Sequence, residues 1–85
     1  MKTSKITVTT EPTLLAGAVA MNREVHIHNE SGNIYIGNAN VTSNTGIKVD
    51  NNSHDIMNLT PNETMYAVTA SGTAIVWILE LGVGQ

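Results

Sequence analysis

The residues of this chain best equipped for chemistry are its three histidines, two of them in the run His26-Ile27-His28. Positions i and i+2 of a β-strand point to the same side, so these imidazoles could share a metal ion, with His54 as a third nitrogen donor. The same spacing beside Glu24 also describes the polar outer face of a strand. That is the role expected for His26 and His28, with no resident metal or cofactor. Ser31 and Ser71 each precede a glycine in a turn-forming run, where a hydroxyl serves the turn rather than nucleophilic attack. Asp50, Asp55 and Glu63 fall in polar breaks without a visible partner for acid–base work. There is no cysteine, no G-x-S-x-G elbow, no P-loop and no G-x-G-x-x-G run. The expectation is a protein that is not an enzyme.

Composition narrows the partners. The 85 residues suit one domain spanning residues 1–85, and a domain of this size buries only about 60–65% of the surface its unfolded chain exposes. Its core is thin, and without cysteine neither disulfides nor thiolate metal sites supplement it. Four basic residues against seven acidic ones provide no clustered positive charge, so nucleic acid is not an expected partner. Ala18-Val19-Ala20 fits the small-residue pattern of a leader cleavage site, but Glu11 and Pro12 make a poor leader. No apolar run approaches the roughly 20 residues that span a bilayer, so a soluble chain without membrane contact is expected. Asn-x-Ser/Thr triplets at Asn29, Asn40, Asn51, Asn58 and Asn62 follow from a composition rich in asparagine and threonine.

Strand-like segments separated by turn formers recur at roughly ten-residue intervals, the pattern of a small all-β fold. An antiparallel β-sandwich or partly open barrel of about 6–8 short strands is expected. Residues 5–10 alternate until Glu11-Pro12 interrupts them. Residues 13–21 read as a loop or edge strand, so that 1–22 form an arm or edge segment of the domain. Residues 23–37 read as a β-hairpin turning at Glu30-Ser31-Gly32-Asn33, with Val25, Ile27, Ile34 and Ile36 inward. Residues 38–46 read as a surface loop with Val41 tucked in. Strands follow at Ile47–Val49 and at 54–59, Pro61 starts a turn, and 65–81 read as a terminal hairpin.

The last strand is apolar on both sides. Ile75, Trp77, Leu79 and Leu81 share one face, and Ala74, Val76 and Ile78 the other. If the tryptophan face lines the core, Val76 and Ile78 point outward, and each forfeits roughly 1.5–3 kcal/mol relative to burial. The apolar segment around Leu14, Leu15 and Val19 needs cover as well. Leu14, Leu15, Val19, Val76, Trp77 and Ile78 are therefore the expected interface with other copies of the chain or with a larger assembly.

The runs REVHIHNESGNIYIGN, GIKV and LTPNETMYAVTASGTAIVWILELG together resemble a group of small tailed-phage virion proteins and domains. The matching residues are Asn29, Ser31-Gly32, Tyr35-Ile36-Gly37, Gly46-Ile47, Pro61-Asn62-Glu63, Tyr66-Ala67, Ser71-Gly72-Thr73-Ala74 and Leu79-Glu80, covering residues 23–81. The resemblance implies an all-β virion component assembled in the host cytoplasm. A capsid decoration or cement protein is its first form, with other copies and phage capsid or connector proteins as partners. An accessory tail, connector or fibre module binding a receptor, a glycan or another virion protein is the alternative. Trp77 departs from the pattern, which commonly has a polar or basic residue there, and His26 and His28 lie outside it.

Overall fold

A computed structural model describes residues 2–81; Met1 and 82–85 of the expected single domain lie outside the described residues. The described residues form eight strands: β1 (Lys2–Val8), β2 (Thr13–Ala16), β3 (Arg23–Ser31), β4 (Ile34–Gly37), β5 (Ile47–Val49), β6 (His54–Leu59), β7 (Met65–Val68) and β8 (Ala74–Leu81). They make two antiparallel four-stranded sheets, ordered β1-β8-β3-β6 (sheet A) and β2-β7-β4-β5 (sheet B). No helix occurs among the described residues, and the sheets do not close into a barrel. The fold is the expected small β-sandwich.

The core lies between the sheets and follows the two-residue period of each strand. Val8, Val25, Ile27, Leu59, Val76 and Ile78 come from sheet A. Leu15, Ile34, Ile36, Val49, Met65 and Ala67 come from sheet B. Val41 tucks under the 38–46 loop as expected. It leaves no room beside it: a Cβ on Gly46 would stand 2.8 Å from both Val41 Cγ2 and Tyr35 Cβ. That contact explains why β5 is preceded by glycine.

Both expected hairpins are corrected. β3 lies in sheet A and β4 in sheet B, and likewise β8 and β7, so residues 23–37 and 65–81 are arches that pass from one sheet to the other. The inward alternation and the turn residues are the same for a hairpin and for an arch. What decides is occupancy, since β3 pairs with β8 on one side and β6 on the other, leaving β4 no place beside it. The arch is fixed by Asn29, fully buried at the end of β3. Its amide Nδ2 donates to the carbonyls of Gly32 (2.6 Å), Asp50 (3.0 Å) and Val49 (3.2 Å). Gly32 takes a φ of +78° at the bend, a conformation that costs glycine little. Every connection except β4–β5 changes sheet in this way.

The N-terminal segment is part of the sandwich. β1 is an edge strand of sheet A, starting before the expected residue 5, and β2 is an edge strand of sheet B. The link from β2 to β3 is anchored by Arg23, whose guanidinium is buried. Its Nη2 donates to the carbonyls of Gly17 (2.6 Å) and Glu63, and Nη1 to that of Val19 (3.5 Å). Nε lies 3.6 Å from the carboxylate of Glu80, which is also buried. The Asn62 N–H donates to Val19 O (2.6 Å), so the same link is tied to the β6–β7 turn.

Candidate interaction surface

The last strand faces the other way from the expectation. Val76 (0% exposed) and Ile78 (2%) point into the sandwich with Ala74, whereas Trp77 (44%) projects from the outer face of sheet A. Glu80 shares the inward face, where it meets Arg23. Of the residues expected at an interface, Leu15, Val76 and Ile78 are therefore core residues of the chain itself. Val19 is half-buried with its carbonyl engaged. Leu14 and Trp77 are exposed, but Leu14 belongs to sheet B and Trp77 to sheet A, so the structure does not bring them together.

What the structure does assemble is a surface on sheet A. The strand registers place Lys5, Trp77, His28 and His54 in one row across β1, β8, β3 and β6. The next row is Thr3, Leu79, His26 and Ile56. Down the middle runs the outer side of β8, with Ile75, Trp77, Leu79 and Leu81 all partly or largely exposed. Over this strip lies a depression of about 300 Å³ walled by Thr3, Trp77 and the three histidines.

Trp77 is held in place rather than loose. Its indole N–H donates to Glu30 Oε1 (2.6 Å), and the Lys5 ammonium lies 5.2 Å from the ring centroid, within range of a cation–π contact. On β3, the His26 ring contacts Glu24 Oε2 through Nε2 (2.7 Å) and stacks on His54 with centroids 5.9 Å apart and planes at 29°. The histidines thus occupy the outer face beside Glu24, where the strand period put them. Among the described residues no group of three or more His, Cys, Asp or Glu side chains is placed to hold a metal ion.

Comparison of the chain with protein-family models, with curated proteins and with solved structures returned no match. The functional reading therefore rests on the geometry of this surface and on the sequence pattern. Ser31 ends β3 and Ser71 lies in the β7–β8 connection, each directly before a glycine at positive φ, Gly32 and Gly72. At the β6–β7 turn, Glu63 Oε1 accepts from the Thr60 N–H (2.9 Å) and hydroxyl (3.1 Å). Those donors, backbone first, hold its carboxyl below the ordinary value of 4.5, helped by Arg23 and opposed by slight desolvation. This is a turn clasp, not an acid–base pair.

Sequence reasoning located the histidines and Trp77 but gave the strand the wrong facing. Glu80 obscured the facing: a carboxylate on the side of Val76 and Ile78 marks that side as outward unless a buried cation, here Arg23, answers it.

Proposed function

We infer that the chain is a non-enzymatic structural component of a tailed-phage virion, a capsid decoration or cement protein that docks through the outer face of sheet A. The observation that carries the reading is the exposed apolar strip on β8, with Trp77 fixed at its centre by Glu30 and Lys5. A strip of large apolar side chains rimmed by polar groups is the form of a protein-binding surface. Tryptophan is among the residues that most often dominate such contacts. Docking would stabilise a shell by adding interface, and many copies acting together would raise the barrier to its rupture. The sequence pattern across residues 23–81 supports the virion setting.

The test is direct. On addition of phage capsid shells, Trp77 emission should shift to the blue as the indole leaves water, and Trp77→Ser should reduce co-sedimentation with the shells at least tenfold. Unchanged binding by that variant would remove this face from the contact.

One observation favours a second reading, a glycan- or receptor-binding accessory module of a tail, connector or fibre. An exposed indole pinned beside carboxylate and imidazole groups is a platform on which a sugar ring can stack. A Trp77 response to glycans in the absence of any shell, with none to shells, would favour this module over the decoration protein.

A further inference from the structure

The sheets have four edge strands, and three of them are blunted against pairing. β5 has three residues and β2 four, with a register shift between Leu14 and Ala16. β6 has six, but the Ile56 N–H is capped by the Asp55 carboxylate (2.9 Å). β1 is different. Its seven residues keep unbroken register with β8 from Lys2 to Val8.

The ladder shows where its spare backbone groups point. The Asn29 N–H reaches Ser53 on the β6 side of β3, so His28 and His26 direct their backbone groups to β8. On β8, Trp77 and Leu79 then face β3, while Val76 and Ile78 face β1. Ser4 and Ile6 therefore bond to β8, and Thr3, Lys5 and Thr7 turn their N–H and C=O groups away from it. Among the described residues no strand lies along that side, and the opening ends at Thr9, whose carbonyl accepts from the Thr69 N–H. A long regular edge of this kind is a template for another strand.

We propose that the occupant is a second copy of this chain, with the two β1 strands paired antiparallel about a two-fold axis at Ser4 to give one eight-stranded sheet. Self-pairing fits the residues. In this register Thr3 of each copy exchanges backbone hydrogen bonds with Lys5 of the other, so the two Lys5 side chains do not oppose one another. On the inner side Lys2 lies opposite Ile6 of the other copy, and its aliphatic stem covers that half-buried side chain. Lysines on an edge discourage pairing with unrelated strands, whereas here each has a place. The axis stands perpendicular to the sheet, so both Trp77 surfaces face the same way. The dimer stands whether or not that surface docks on a capsid.

Sedimentation equilibrium from micromolar to millimolar protein tests the pairing. The wild-type chain should sediment as a dimer. Lys5→Pro removes an N–H that the β8 ladder does not use and puts a ring into the join. It should sediment at the 9.1 kDa of one chain with its circular dichroism unchanged. Ser4→Cys supplies a readout independent of that variant: mild oxidation should yield a covalent dimer, and Thr7→Cys should not. A chain that stays monomeric throughout overturns the proposal. So does a dimer that persists in Lys5→Pro while Ser4→Cys fails to cross-link, or one abolished by Trp77→Ser but not by Lys5→Pro.

Discussion

Replacing Arg23 by methionine should be among the most damaging single changes to this fold. The substitution keeps an unbranched apolar stem but removes the guanidinium, leaving the Glu80 carboxylate buried opposite a thioether. The carbonyls of Gly17, Val19 and Glu63 lose their donors at the same time. Removing one member of a buried ion pair costs about 3–5 kcal/mol. A domain of this kind has about 5–15 kcal/mol in total, so about a fifth of the stability or more is at stake. At about 4–8 °C per kcal/mol for a small domain, Tm should fall by at least about 12 °C. Urea denaturation followed by far-ultraviolet circular dichroism measures the loss. The double variant Arg23→Met, Glu80→Met supplies the control, because two apolar side chains can pack where one stranded charge cannot. It should be more stable than the sum of the single losses implies, by about 1–3 kcal/mol. A single-variant loss under about 1 kcal/mol, or two losses that simply add, would refute the argument that these groups act as a buried unit.

Other expectations separate the two faces of β8 and the turns around it. Ile78→Ala should cost about 2–5 kcal/mol in the same denaturation experiment, whereas Trp77→Ser should stay within about 1 kcal/mol because its contacts are at the surface; equal losses would contradict the facing of the strand. Gly46→Ala should destabilise by about 1–3 kcal/mol, since the new Cβ would meet Tyr35 backbone carbon at 2.9 Å as well as Val41; an unchanged Tm would show that the loop yields freely. The depressed Glu63 carboxyl stabilises the fold at pH values above 4.5, and that contribution is lost as pH falls through its folded value. The stability difference between wild type and Glu63→Gln should therefore shrink between pH 7 and pH 3, and a difference constant across that range would argue against the Thr60 clasp.

The alternation of Val25, Ile27, Ile34 and Ile36 made the core legible in the sequence, because a two-residue period reports which side of a strand is buried. It does not report which strand lies alongside, and so the arches at Gly32 and Gly72 were indistinguishable from hairpins. The facing of β8 was illegible for a related reason: both of its sides are apolar, and hydrophobicity alone cannot rank Val76 and Ile78 against Trp77 and Leu79. The buried side also carries Glu80, which lies against Arg23, a residue far from it in sequence. Burial of Arg23 could not be read from its neighbours, since its partners at Gly17, Val19 and Glu63 are carbonyls that any residue supplies. The histidine surface was half visible. His26 and His28 follow from strand spacing, but His54 and Trp77 join them only through the order of sheet A.

The sheet-changing connections also bear on how the molecule is made and lost. Since among the described residues only β4 and β5 are both consecutive and paired, almost no strand can find its partner before distant parts of the chain have met. Acquisition of the native state should be slow for so short a polypeptide, because the entropy of closing long loops is spent before any ladder rewards it. The converse favours endurance: no terminal pair can peel away as a unit, so breaking the fold requires most of it to come apart at once. If the chain serves the proposed virion role, in which a part is built once and must persist without repair, sluggish maturation is a tolerable companion to a long working life.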